Sequence, residues 1–265
     1  MRLLDEILNL KSLADIEGYL SSKPYKESIY FEEIVSEAIA YTVKLPYYTN
    51  DDQTARPYFV KWFGKSNPIG KAQGNKPDIK AICHNFHFIA EATVKTETTQ
   101  CSQEYSQALR HFDEHIIETQ MNRDDGYILF ITKFLHADSY NAIYALNNDS
   151  HNIQYKLVPI EYPDLIKILE ISSIAFTMMH VDLRDLFNEI LSTIKISPTL
   201  PIFRKNLTKK INEWQKIVLE REKSACLGFI TYQLLKSERS SIEISDVFAK
   251  VKTKRNYKRF KKFAL

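Results

Sequence analysis

Glycine is scarce in this chain, 6 residues in 265, and there is neither a low-complexity tract nor a collagen-like repeat. With 44% hydrophobic and 26% charged residues the composition also excludes a disordered chain, which lacks the apolar surface to offset the entropy of ordering. Cysteine is rarer still. Cys83, Cys101 and Cys226 stand far apart with no C-x-x-C pair, which argues for reduced, buried thiols and against a disulfide or zinc framework. No apolar run approaches the ~20 residues that cross a bilayer. The N-terminal stretch carries Asp5, Glu6, Asp15 and Glu17, which a secretory signal does not tolerate. The expectation is a cytoplasmic protein with no membrane partner. The length suits one large domain, or a core domain with an appendage, able to bury its core without staples.

No single sign of charge dominates either: the net charge is +3. Its distribution is more telling. Between Lys250 and Lys262 lie eight Lys/Arg and no acid, interleaved with Tyr257 and Phe260 and followed by Phe263. Such a tail suits a polyanion, with Lys254, Arg255, Lys258 and Arg259 as candidate DNA contacts. A solvated terminal helix is the plainer reading of the same run.

Hydrophobic spacing organises the rest. Residues 1–22 read as one short amphipathic helix and 29–43 as a second, with Ile34 and Ala38 inward. The Pro- and Gly-containing stretch 46–77 reads as a long loop with one short strand near Tyr58–Phe63. Residues 77–83 and 86–94 form a hairpin pattern around a His84-Asn85 turn. Helical spacing returns at 102–120, where Tyr105, Leu109, Phe112 and Ile116 make the apolar stripe. The all-apolar run 127–134 is typical of a strand covered on both faces. Residues 137–147 read as helix, 154–160 as strand, and 162–172 and 181–194 as helices. Basic helices follow at 203–222 and 224–237. The order implies a mixed α/β core over 1–200 with a basic helical extension over 201–265.

The chemistry concentrates in the hairpin. Pro77-Asp78 is followed, after twelve residues, by Glu91-Ala92-Thr93. In an antiparallel pair these acids can face each other, and two carboxylates brought together repel unless a cation sits between them. An oxygen-rich site of this kind suits Mg²⁺, with the Ala92 carbonyl as a further ligand. Alternation puts Glu91 and Thr93 on one strand face. Along the next helix Glu104, Ala108, His111 and His115 share a stripe that can bring a carboxylate and an imidazole to the strand ends.

These residues carry a resemblance. Pro77-Asp78, Glu91-Ala92-Thr93 and then Glu104, Gln107, Ala108, Arg110 and His111 are similar to the catalytic core of type IIS restriction and nicking endonucleases of the AlwI and BstNBI kind, in the PD-(D/E)XK nuclease superfamily. The likeness covers about residues 30–160. It implies a PD-(D/E)XK-like mixed central sheet flanked by helices, and a Mg²⁺-dependent DNA endonuclease leaving 5′-phosphate and 3′-hydroxyl ends. It implies Asp78 and Glu91 as metal ligands, joined by a glutamate from the preceding helix, with Glu37 the best match and Glu33 the fallback. His111 and Glu104 would orient the water, and Arg110 or Lys95 would stabilise the developing charge. The superfamily's lysine, two residues after the second acid, is replaced by Thr93; Lys95 is the substitute if the strand extends that far.

For a type IIS enzyme the chain is short. Its expected partners are double-stranded DNA and either a larger recognition subunit or a second copy. Two alternatives stand beside this reading. One is a non-catalytic DNA-binding subunit with a nuclease fold. The other takes His111-x-x-Glu114-His115 as an inverted zinc-protease signature with Glu189 as third ligand.

Overall fold

The structure, a computed structural model, describes residues 4–24, 26–49, 52, 56–64, 76–96, 104–149, 155–174 and 183–237, with the backbone alone for 174 and 225–237. Cys101 and the basic tail with Lys254, Arg255, Lys258 and Arg259 lie outside the described residues.

The N-terminal region is two helices where one was expected: α1 (Leu4–Leu8) and α2 (Leu13–Ser21). Ser12 explains the break. Its hydroxyl accepts the Asp15 N–H at 3.1 Å while the Asp15 carboxylate accepts the Ser12 N–H at 2.9 Å. This reciprocal capping starts a new helix in mid-pattern. Next comes α3 (Glu27–Val43), buried along most of its length from Phe31 to Val43.

Among the described residues six strands form one sheet in sequence order. They are β1 (Tyr47–Tyr48), β2 (Phe59–Trp62), β3 (Ile79–Ile82), β4 (His87–Thr93), β5 (Gly126–Thr132) and β6 (Leu157–Glu161). The β1–β2 pair is parallel, β2–β3 and β3–β4 are antiparallel, and β4–β5 and β5–β6 are parallel. The expected hairpin is β3–β4. The Cys83 N–H donates to the Phe86 carbonyl at 2.9 Å to close it. Every residue of β4 and of β5 is buried, the signature of strands covered on both faces.

Helix α4 (Ser106–Thr119) links β4 to β5, and α5 (Ala137–Asn148) links β5 to β6. Beyond β6 come α6 (Tyr162–Ile174), α7 (Leu183–Lys195) and α8 (Leu200–Ser237). On one side of the sheet, Phe88 and Leu129 pack with Ile39 of α3, Leu165 of α6 and Phe187 of α7. On the other, α4 lies along β4. Of the Tyr105–Leu109–Phe112–Ile116 stripe expected to bury itself, Phe112 is buried and the other three are half-buried; the face pressed on the sheet is Ala108, His111, Phe112 and His115.

The two basic helices expected after 203 are one continuous helix. Its first five turns bury Phe203, Leu207, Ile211, Trp214 and Val218 in the same core as the sheet. Arg204 fixes this helix to the strand ends. It donates to both Glu161 oxygens, at 2.7 and 3.0 Å, and to the Leu135 carbonyl at 3.0 Å, with its guanidinium over the Phe134 ring.

The contact between α4 and the sheet is set by Gly126. A Cβ there would lie 2.6 Å from Phe112 and 2.7 Å from His87. Gly126→Ala should therefore lift α4 from the sheet, with a cost of about 1–3 kcal/mol typical of overpacking. Urea unfolding checks this: the midpoint should fall, and an unchanged midpoint would show that the helix has slack.

Candidate active site

The β3–β4 register pairs Ile79 with Ala90 and Lys80 with Ile89, so the next step brings Asp78 opposite Glu91 on the sheet face that α4 covers. Asp78 accepts the Ala92 N–H at 2.9 Å, which turns its carboxyl toward β4 rather than to solvent. Glu91 is 4% exposed; it does not reach water from the strand end. His111, 2% exposed, comes down from α4 and sets its Nδ1 at 2.6 Å from Glu91 Oε1.

Two further carboxylates surround this pair. Glu104 comes from the turn before α4 and is ion-paired with Lys95 at 2.5 Å. Glu32 comes from the first turns of α3. Burial, first of all, and then Glu91 push the Asp78 carboxyl well above the usual carboxylate range. Burial followed by Glu104 and Glu32 does the same to Glu91. Glu32 is pushed up to about 9 by burial and then by Asp78, with the Trp62 indole opposing the rise. The Trp62 Nε1 is buried with no partner of hydrogen-bonding geometry, and its ring lies against Gly64, where a Cβ would come within 2.2 Å. His111 is held below its ordinary value by burial and then by Arg110, so it is neutral at pH 7.

The expected acids Asp78, Glu91 and Glu104 and the expected His111 are thus brought together. On α3 a third glutamate stands beside the expected Glu37 and the fallback Glu33: Glu32 is the one whose charge is coupled to Asp78 and Glu91. At 100° per residue Glu33 and Glu37 point about 100° and 140° away from Glu32; Glu37 is buried within α3's packing face.

Thr93 is on the Glu91 face, and its hydroxyl accepts the Lys95 N–H at 3.1 Å. The strand ends at Thr93, so Lys95 does not continue its face but folds back onto Glu104. Arg110 is half-exposed and its guanidinium stands 3.3 Å from His111 Nε2. The Ala92 N–H is the one that Asp78 accepts.

Among the described residues no three His, Cys, Asp or Glu side chains form a ready-made ligand shell. The donor set still suits a hard cation. Two carboxyls opposed across a strand pair, Glu91 buried and Asp78 half-buried, each raised by the other or by further acids, are the arrangement a divalent cation relieves. Zinc suits the site less well. His111 is turned to Glu91, His115 Nε2 is 2.9 Å from His87 Nδ1, and Glu189 pairs with Lys210 at 3.0 Å, so the H-x-x-E-H residues do not converge. Cys83, His84 and His87 are equally not a cluster: His84 meets the Tyr58 hydroxyl at 3.0 Å. Trp62 and Trp214 are buried in the core.

Residues 18–168 match the AlwI restriction endonuclease family. A search of curated proteins finds no match. Among solved structures the chain is similar to the small subunit (R.BspD6I2) of the heterodimeric restriction endonuclease R.BspD6I. The TM-score is 0.50 with 15% identity over 82% of this chain and 98% of that one; at that identity the likeness is one of fold.

The carboxyl cluster makes stability depend on pH. Glu32, at about 9 folded against 4.5 for an ordinary glutamate, contributes stability that is complete below the lower value and lost as pH rises toward the upper one. With EDTA present, thermal stability should decline between about pH 5 and 9. Glu32→Gln should flatten that decline and raise the melting temperature at pH 8. A Glu32→Gln protein less stable than wild type at pH 8 would contradict it.

Proposed function

The chain belongs to the AlwI restriction endonuclease family, and from that premise we propose that it is a Mg²⁺-dependent DNA endonuclease of a type II restriction system. It hydrolyses phosphodiester bonds at the Asp78–Glu91 pair, leaving 5′-phosphate and 3′-hydroxyl ends. The observation that carries this reading is the opposed carboxyl pair with a neutral imidazole on one of its members. Asp78 and Glu91 would hold the cation, with the Ala92 carbonyl as a further ligand and Glu32 and Glu104 adding negative charge around it. Bound there, Mg²⁺ supplies a Lewis acid to the scissile phosphate and to the water that attacks it.

The chain's own residues supply the rest. The Ala92 N–H holds the Asp78 carboxyl in place. His111 fixes Glu91 through Nδ1, and its depressed basicity keeps the ring neutral and able to take a proton. Lys95 and Arg110 are the cations closest to the cluster's acid and imidazole, and each is half-exposed, so either can turn to the phosphate. The tail residues Lys254, Arg255, Lys258 and Arg259 supply sequence-independent affinity for DNA.

We further assign the chain to cleavage, with a larger separate subunit reading the site. The structural neighbour supports this: it is the small subunit of a heterodimeric restriction endonuclease and is matched over 98% of its length.

Two measurements test the proposal. In a plasmid digest Mg²⁺ should support cutting and EDTA abolish it. Asp78→Asn and Glu91→Ala should each lower cleavage by about 10²-fold or more, and His111→Ala by about 10–100-fold, with DNA binding retained. Full cleavage by Asp78→Asn would refute the site, and binding without cleavage by wild type, even with its partner, would make this a non-catalytic subunit. Separately, the purified chain should cut site-specifically only once the larger subunit is added; efficient site-specific cutting by the chain alone would remove that subunit from the scheme.

A further inference from the structure

Beside the carboxyl cluster, on the same sheet face, lies a cavity of about 200 Å³ lined by Phe63, Lys76, Lys80, His111, His115 and Glu118, among others. It shares His111 with the acidic site, and its wall sets two lysines, Lys76 and Lys80, against two glutamates, Glu114 and Glu118. Lys80 is two residues after Asp78 on β3, so the two side chains share a face. Its cross-strand partner on β2 is Lys61. Like charges directly opposite on adjacent strands are destabilising. A third ammonium, that of Lys76, stands 5.8 Å from the Phe63 ring centroid, with that of Lys61 at 5.7 Å from the same ring.

Lys76 and Lys80 therefore meet at the cavity, where Lys80 is 7% exposed, and Lys61 stands behind them with its ammonium donating to the Asp52 carbonyl at 3.1 Å. What faces them is weakly held. Glu118, on the last turn of α4, lies 3.4 Å from the Lys80 ammonium and 3.5 Å from that of Lys76, and its own side chain is 52% exposed. The separations exceed an ordinary charged hydrogen bond, and the glutamate can swing into water at little cost. Glu114, the other acid at the cavity, leans to Arg110 through Oε1 at 3.9 Å, while its Oε2 is buried with no hydrogen-bond partner.

The imidazoles add a polar wall. The Asn122 carbonyl can only accept, so His87 Nε2, 2.9 Å away, carries the proton. His87 Nδ1 then accepts from His115 Nε2–H at 2.9 Å. His115 Nδ1 is left as a buried lone pair with no partner on the cavity-lining ring. Such a lone pair calls for a donor, so water fits this wall and an anion would meet it only through water.

We propose that this cavity is a subsite for a backbone phosphate of the DNA strand, neighbouring the scissile one, held by Lys80 and Lys76 with Lys61 behind them, and that Glu118 occupies the phosphate's place until DNA arrives. The inference rests on the nuclease reading above and extends it by naming where the uncut part of the substrate is gripped. Lys80 acts here by binding, not on the reacting atoms.

The test measures binding of the full chain to a labelled duplex, without divalent cation, across a salt series, with Mg²⁺ cleavage assayed in parallel. Losing one phosphate contact should make the slope of log K against log salt shallower by about 0.9. That change is expected for Lys80→Gln, and for Lys76→Gln should Lys80→Gln not fold. Glu118→Gln, an exposed change, should tighten binding. Unchanged slopes in both lysine variants, or no tightening in Glu118→Gln, would overturn the subsite while wild-type cleavage kept the nuclease reading intact. A fall in turnover in Lys80→Gln with affinity and slope unchanged would overturn it too, by making Lys80 catalytic. Inorganic phosphate at matched ionic strength is the control: stabilisation of wild type but not of Lys80→Gln, with DNA slopes unchanged, would assign the cavity to free phosphate and overturn the proposal. The expected slopes with no cleavage under any condition would overturn the nuclease reading alone.

Discussion

The like-charge contact between Asp78 and Glu91 is the constraint from which the rest of the structure follows. A strand pair brings the two carboxyls face to face and α4 closes over them; Glu91 is buried and Asp78 half-buried, its carboxyl held toward β4 by the Ala92 N–H. Isolated, such a pair holds a proton; offered a divalent cation, it exchanges the proton for the metal. A site that is uncomfortable when empty is therefore strong when filled, and the discomfort must be carried by the surrounding fold.

The surroundings are suited to carry it. β4 and β5 are covered on both faces, so the strand ends cannot splay to separate the acids. The Ala92 N–H and the His111 ring each take one carboxyl oxygen, of Asp78 and Glu91 respectively, and so fix the pair in place. His111 in turn is placed by an α4 face that is polar where a typical helix is apolar. Ala108 and Phe112 supply the close approach, and Gly126 beneath Phe112 and His87 permits it. At the far edge, the Arg204–Glu161 fork ties α8 to the sheet, so the long C-terminal helix begins as part of the core.

Much of this was legible in the sequence because period and spacing report it directly. The hairpin, the doubly covered β5 run and the pairing of Asp78 with Glu91 follow from alternation and a short turn. The helical spacing of Glu104 and His111 put both at the strand ends. What was not legible depended on rotation and continuity. α3 carries Glu32, Glu33 and Glu37 and is buried nearly all round, so no amphipathic stripe tells which glutamate faces the sheet. α4 buries histidines beside alanine, and a hydrophobicity pattern selects the wrong face for that reason. The break at Ser12 and the unbroken α8 turn on one capping box and on tertiary packing, and both override local pattern.

The charge layout of the α4-covered face bears on how the site fills. Burial and mutual repulsion favour the protonated forms of Asp78, Glu91 and Glu32, and Glu104 is paired with Lys95, so the empty site presents less negative charge to a DNA strand than its four acids suggest. Two residues along β3 the sign reverses at Lys80, opposite Lys61. One strand thus carries Asp78 and Lys80 on the same face, so that on the proposed reading a cation and a backbone phosphate would be held side by side. Cation and DNA would then favour each other's binding, and that coupling would be reciprocal by thermodynamic necessity. On that reading Lys80 would bind the substrate beside the carboxyl pair and would not replace the lysine that the second acid lacks, whose place Thr93 takes.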